Sequence, residues 1–122
     1  MSVSLFACLP VSDLERAKAW YEQLLGSPPA FLPNDTEAVW EVAEGRYIYI
    51  ELLPNDAGHG KVTLFFDDLG TRIDAVSGRG IESAHQETYE NGVTKITYRD
   101  PDENEIGYGG TLGQSEPVNK ES

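Results

Sequence analysis

Residues Val11–Gly26 read VSDLERAKAWYEQLLG, and this stretch decides how the first half of the chain is interpreted. Ser12 and Glu15 form the S-x-x-E pattern of a capping box, which predicts a helix that begins at this point. Gly26 is typical of a residue that ends a helix. One apolar stripe at helical spacing predicts the buried side of this helix, and it consists of Leu14, Ala17, Tyr21, Leu24 and Leu25.

The strand-to-helix opening occurs twice in the chain. Leu9–Leu14 reads LPVSDL, and Leu64–Leu69 reads LFFDDL 55 positions later. Strand patterns punctuated by glycine follow each opening, so the sequence predicts two βαβββ modules within a single domain spanning 1–122. Two copies are too few for a solenoid and suit a duplicated domain. We expect module one at about 2–56, module two at about 60–113, and a polar tail over 114–122.

Composition and charge exclude several classes of protein. The chain has 122 residues, a formal net charge of −12 and a single cysteine, Cys8. Such a charge repels nucleic acid and anionic membranes, and no apolar run approaches the roughly 20 residues of a membrane span. One cysteine excludes an internal disulfide, and no signal peptide is visible. We therefore expect a cytoplasmic protein that binds neither nucleic acid nor a membrane.

Side-chain alternation separates two faces on three predicted strands, because successive residues of a strand point to opposite sides. One face is aliphatic and is expected to pack under the helices, and the other mixes aromatic and polar groups, which suits a ligand cavity. A solvated outer face is the alternative, since Tyr and Thr are common in strands. Contiguous exposed aromatics favour a site or an interface instead. The mixed face carries Phe6, Cys8, Tyr47, Tyr49, Glu51, Lys61, Thr63 and Phe65.

A second stretch, Tyr98–Ile106, reads YRDPDENEI and predicts a turn between two strands. With the helix opening and the repeated module, this turn resembles the vicinal-oxygen-chelate superfamily, which includes glyoxalase I, extradiol dioxygenases and bleomycin-resistance proteins. The resemblance implies an α+β fold in which two βαβββ modules form a curved, partly open mixed sheet around a cavity. Glu103 stands where the family's turn has glycine, so we expect strain there or a shift of the left-handed residue to Asn104.

The resemblance also places the family's four metal-ligand positions at Phe6, Glu51, Lys61 and Gly107. Only Glu51 is a ligand, because Phe6 and Gly107 offer no donor and the Lys61 ammonium repels a divalent ion. A catalytic metal needs about three protein donors, so we expect neither a metal nor another cofactor. We expect Lys61 to stand near the position of the metal charge and to pair with Glu51. Cys8 is interpreted as a small packing residue rather than a nucleophile.

Two functions of different class remain open. The first is metal-free binding of a small aromatic or cationic molecule in a dimer cavity, similar to the bleomycin-resistance branch. Open sheet edges predict a homodimer. The expected walls of the cavity are Phe6, Cys8, Tyr47, Tyr49, Glu51, Lys61 and Phe65, with Trp40 and Tyr98 in addition. The alternative is a glyoxalase-type lyase or isomerase, or a dioxygenase-like enzyme, with atypical metal ligands or with Glu51 as general base. No other catalytic residue can be named from the sequence.

Overall fold

The polypeptide follows a strand, helix and three-strand order twice, and the computed structural model describes residues 2–112. The predicted tail over 114–122 lies outside the described residues. Neither helix of the described part has the length and apolarity needed to cross a membrane. The elements are β1 Leu5–Val11, α1 Leu14–Leu25, β2 Phe31–Asn34, β3 Glu37–Ala43, β4 Arg46–Leu52, a 3-10 turn Pro54–Asp56, β5 Lys61–Phe65, α2 Leu69–Gly78, β6 His85–Thr88, β7 Thr94–Arg99 and β8 Glu105–Gly110.

The strands form two four-stranded mixed sheets with the same topology. The order is β1-β4-β3-β2 in module one and β5-β8-β7-β6 in module two. In each sheet the first strand pairs in parallel with the last, and the other pairs are antiparallel. The predicted α+β fold with two βαβββ modules is therefore confirmed. The backbone hydrogen bonds divide the strands into two separate sheets, so the mixed sheet is open.

Helix α1 begins one residue later than the sequence pattern predicts. Asp13 is the N-cap, and its carboxylate accepts a hydrogen bond from the Arg16 N–H at 3.0 Å. Ser12 was wrongly predicted as the cap, because its hydroxyl and N–H donate instead to the carboxylate of Asp102. Gly26 ends the helix in the left-handed conformation, with φ of 82°, as predicted.

The aliphatic faces of both sheets share one apolar core with both helices. Residues of module one such as Leu9 and Ile50 belong to the same buried cluster as Ile96 and Ile106 of module two. Because each sheet turns its aliphatic side toward this common core, the two mixed faces point away from each other.

A buried polar network around Asp100 ties the modules together. The Asp100 carboxylate is 2% exposed and accepts a hydrogen bond from the Tyr21 hydroxyl at 2.7 Å. It also accepts bonds from two backbone N–H groups of its own turn and from Asn104 Nδ2. Asn104 is fully buried; its Nδ2 donates to the Pro10 carbonyl at 2.7 Å, and its Oδ1 accepts from the Gly60 N–H at 2.7 Å. The turn of module two thus holds α1, β1 and the linker between modules.

The turn after Asp100 contains a strained residue, as the sequence suggested. Glu103 has φ of 80° and is the one non-glycine residue with positive φ in the described range 2–112. The left-handed position has not moved to Asn104, whose side chain is held in the buried network.

We expect Glu103→Gly to raise the free energy of unfolding by about 0.5–1 kcal/mol in urea denaturation. The left-handed conformation costs an L-residue about 1–2 kcal/mol, and the greater freedom of glycine in the unfolded chain offsets part of that gain. Glu44→Gly is the matched control, because Glu44 is an exposed turn residue with negative φ. An equal gain in both variants would show that strain at Glu103 is not the cause.

Candidate functional site

The exposed side of the first sheet brings together five of the predicted site residues. The parallel pairing of β1 and β4 sets Phe6 beside Tyr47 and Cys8 beside Tyr49, with Glu51 at the end of the same row. The Phe6 and Tyr47 rings stack with centroids 4.3 Å apart and planes 7° apart. The Tyr49 ring meets Phe6 edge-on at 6.4 Å. Alternation therefore placed these side chains on one face.

Four further residues of this face were missed by the sequence interpretation. Phe31 of β2 is exposed, and its ring lies 6.4 Å from that of Tyr47. Alternation along β3 could have identified the others, whereas β2 is too short to show it. In the cross-strand register, Glu37 lies opposite Glu51. We call the whole set the module-one face: Phe6, Cys8, Phe31, Glu37, Val39, Glu41, Tyr47, Tyr49 and Glu51.

Cys8, Tyr49 and Glu51 interact at the centre of the module-one face. The Cys8 thiol points to Glu51 Oε1 at 3.8 Å. Burial is the main cause that raises the pKa of the Cys8 thiol, and the negative charge of Glu51 raises it further. The pKa of the Tyr49 hydroxyl is raised chiefly by its hydrogen bond with Cys8. Cys8 is therefore a thiol at neutral pH and lacks the thiolate character of a nucleophile.

The exposed side of the second sheet is more basic and contains the predicted residues Lys61 and Phe65. Phe65 is 69% exposed. Gly107 and Gly109 allow the Lys95 side chain and the Phe65 ring to lie close to the backbone of β8, because a Cβ would lie 2.8 Å from Lys95 Cε and 3.3 Å from the Phe65 ring, respectively. We call the set the module-two face: Lys61, Thr63, Phe65, His85, Glu87, Lys95, Thr97, Arg99, Glu105, Gly107 and Gly109.

The predicted pairing of Lys61 with Glu51 is wrong within one chain. Lys61 Nζ lies 3.8 Å from Glu105 Oε1 of the neighbouring strand, and Arg99 contacts the same carboxylate at 3.4 Å. Glu51 lies on the other sheet, beside Cys8. The separation follows from the shared core, which turns the two faces in opposite directions.

Trp40 and Tyr98 are not walls of either face, contrary to the prediction. Both are buried in the common core. Trp40 lies opposite Ile48 in the register and donates its indole N–H to the Ser27 carbonyl at 2.9 Å, and Tyr98 lies opposite Ile106. In the register of their strands, both residues point to the aliphatic side. Their prediction as cavity walls was therefore wrong.

The donor set does not fit the family's metal centre. Of the four corresponding positions, Phe6 and Gly107 carry no donor, Lys61 is engaged with a carboxylate, and only Glu51 offers oxygen. Within residues 2–112, no group of three or more His, Cys, Asp or Glu side chains is arranged to hold a metal ion. One carboxylate is too few for a stable catalytic site, which needs about three protein donors.

One cavity has residues of β1, β3, β4 and β5 in its wall. Tyr47 and Phe65 both line this cavity of about 390 Å³, together with apolar side chains such as Leu5 and Val62. Cavities of a few hundred Å³ with mostly apolar walls are typical of small-molecule sites. Residues of both mixed faces therefore share the wall of one cavity.

Comparison with known proteins finds solved structures that match most of the chain. No protein-family model matches it, and no curated protein matches its sequence. A solved glyoxalase/bleomycin-resistance protein from Catenulispora acidiphila is 50% identical, with a TM-score of 0.87 and coverage of 90% of this chain and 99% of that one.

Two more distant structures share the fold, but one is a binding protein and the other is an enzyme. A bleomycin-binding protein solved with bleomycin is 20% identical, with a TM-score of 0.71 over 91% of this chain and 99% of that one. A lactoylglutathione lyase from Agrobacterium tumefaciens is 16% identical, with a TM-score of 0.72 over 90% and 94%. Because the same architecture includes a binding protein and an enzyme, only the residues of the site can distinguish the two functions.

Proposed function

Because the chain belongs to the glyoxalase/bleomycin-resistance protein family, we propose that it binds a small aromatic or cationic molecule, without a metal, in a cavity closed by a homodimer. The observation that carries this function is the module-one face, where Phe6 and Tyr47 stack in the open beside Tyr49 and Glu51. Aromatic faces beside carboxylates suit flat or cationic ligands. The free thiol of Cys8 fits a reducing cytoplasm, where we place the protein.

The homodimer is supported by the difference in charge between the two faces. The module-one face contains Glu37, Glu41 and Glu51 and has neither lysine nor arginine. The module-two face contains three basic residues, Lys61, Lys95 and Arg99, and two acidic ones, Glu87 and Glu105. Two-fold symmetry would set the module-one face of each protomer against the module-two face of its partner.

This dimer would complete the site with residues from both protomers. Phe65 of one protomer would lie over the aromatic rings of the other, and the exposed aromatic area would be covered. The pairing of Glu51 with Lys61 would then form between protomers. A ligand in this cavity would contact aromatic rings from both chains.

Titration with bleomycin and with proflavine, a planar aromatic cation, tests this function. We expect saturable binding, measured by calorimetry, and a loss of about 1–3 kcal/mol in Tyr49→Ala, the usual range for a buried aromatic anchor. Tyr89→Ala is the matched control, because Tyr89 is an exposed tyrosine beside Glu87 on the second sheet and is not part of the module-one face. Failure of both probes to bind, or equal losses in the two variants, would contradict the assignment.

The enzyme alternative retains Glu51 as its candidate base, and the lyase that shares the fold is its main support. We expect zinc, nickel or iron to leave the melting temperature of the chelator-treated protein unchanged, because only a ligand of the native state raises it. A rise that Glu51→Ala abolishes would reverse this ranking and favour a metal-dependent lyase or isomerase. A rise that Glu51→Ala preserves would point to a metal bound elsewhere.

A further inference from the structure

A second cavity lies between the modules, on the core side of both sheets, and Glu41 of the module-one face lies in its wall. Its volume is about 260 Å³. The end of α1, α2 and strands β3, β5 and β8 all contribute to its wall. Much of the lining is apolar or aromatic, including Leu24, Trp40, Leu64, Phe66 and Val76. It adjoins the cavity of about 390 Å³, because Val42, Leu64, Phe66 and Arg72 line both.

Tyr108 gives this cavity an unsatisfied polar group. The residue is 3% exposed and lines the cavity, and nothing within residues 2–112 forms a hydrogen bond with its hydroxyl. Buried tyrosine hydroxyls usually have a partner, so this one indicates a missing acceptor. Burial is the main cause that raises the pKa of Tyr108 to about 12, which leaves the hydroxyl protonated at neutral pH and able to donate.

Arg72 supplies positive charge at the same cavity. Its Nε donates to Asp68 at 3.2 Å, and its guanidinium carbon lies 4.9 Å from the centre of the Phe66 ring. The two terminal nitrogens form no hydrogen bond with a protein acceptor in the described part of the chain. Arg72 and Tyr108 both line the cavity. Arg79 and Arg72 tend to lower the pKa of the Tyr108 hydroxyl, against the larger effect of burial. Because they share this wall, Arg72 and Tyr108 can donate to one ligand.

Arg79 offsets the negative charge at the C-terminal end of α1, which would otherwise repel an anion. Its Nη2 donates to the Leu24 carbonyl at 2.7 Å, and its Nε donates to the Gln23 carbonyl. These bonds satisfy carbonyls at the negative end of the helix dipole. Glu41 also lines the cavity, but its carboxylate accepts a bond from the Gly45 N–H at 3.2 Å.

We propose that this cavity binds a small carboxylate with an apolar body, of the aryl or short alkyl class. The carboxylate accepts hydrogen bonds from the Tyr108 hydroxyl and the Arg72 guanidinium, a charge-assisted arrangement. The body of the ligand contacts Phe66, Leu64 and Trp40. Sites for drug-sized ligands span roughly 300–1,000 Å³, so a cavity of about 260 Å³ suits a smaller molecule.

An NMR titration of the ¹⁵N-labelled protein with phenylacetate tests this site. We expect saturable shifts of the Trp40 indole N–H and of the backbone amides over 24–27, and no such shifts with the neutral phenylacetamide. Tyr108→Phe and Arg72→Gln should each weaken binding about tenfold, since each removes one hydrogen bond to a charged group. Tyr108→Phe keeps the ring packing, and the hydroxyl that it removes has no protein partner.

Two controls separate this site from the module-one face. Tyr89→Phe makes the same chemical change at an exposed position and should leave affinity unchanged. Tyr49→Ala should also leave it unchanged, whatever its effect on bleomycin. The inference would be overturned if phenylacetate, benzoate and octanoate all gave no saturable shifts, or if phenylacetamide bound equally well. Unchanged affinity in Tyr108→Phe, or shifts confined to the amides of Phe6 and Tyr49, would overturn it too.

Discussion

Asp100→Ala is expected to lower the free energy of unfolding by about 3–5 kcal/mol. The carboxylate is almost fully buried and accepts four hydrogen bonds, including those from the Tyr21 hydroxyl and Asn104 Nδ2. Its removal leaves several buried donors without an acceptor, and each unsatisfied group costs about 1–3 kcal/mol. The loss should appear as a lower midpoint in urea denaturation, followed by circular dichroism.

Asp74→Ala provides the control for this substitution. Asp74 is exposed on α2 and forms no hydrogen bond or ion pair within residues 2–112, so its loss should change stability by no more than about 0.5 kcal/mol. Tyr21→Phe should fall between the two variants, because it removes one donor and leaves the carboxylate with three. A loss below 1 kcal/mol in Asp100→Ala would contradict the role assigned to the network.

Phe65→Asp is expected to convert the proposed dimer into monomers, with the dimer dissociation constant raised at least about 100-fold. Phe65 is a large apolar side chain, 69% exposed in the single chain, and the proposed dimer would cover it. The new carboxylate would face the partner's module-one face, where Glu37, Glu41 and Glu51 already lie. Sedimentation equilibrium at micromolar concentration measures the effect.

Val3→Asp carries the same change in charge at a site outside both faces. Val3 is 82% exposed and precedes β1, so we expect this variant to remain dimeric. Dissociation of both variants to the same extent would attribute the effect to net charge rather than to a specific surface. A monomer mass for the unsubstituted protein would contradict the proposed dimer itself.

The fold could be predicted because its signals are local and occur twice. The helix pattern over 14–25 and its glycine stop agree with the structure, and so does the repeated βαβββ order. The cap of α1 was misplaced because the partner of Ser12 is Asp102, 90 positions away. No local pattern reports such a contact.

The positions of the site residues could be predicted only on strands where the alternation of side chains between the two faces was considered. Along β1 and β4 the period of two placed Phe6, Tyr47 and Tyr49 on one face, as the register confirms. Trp40 was assigned without that test, although its strand also alternates. The pairing of Lys61 failed for another reason: it depends on which way each sheet faces, and the common core decides that only after the modules pack.

The buried bond from Tyr21 to Asp100 has an evolutionary consequence. Two modules that arise by duplication begin with the same sequence, so either could occupy either position in the chain. Here the position in α2 that corresponds to Tyr21, 55 residues on, is Val76, which has no hydroxyl to offer. A chain made of two copies of module two would therefore lack the donor for its carboxylate. The two modules are therefore not interchangeable at this contact.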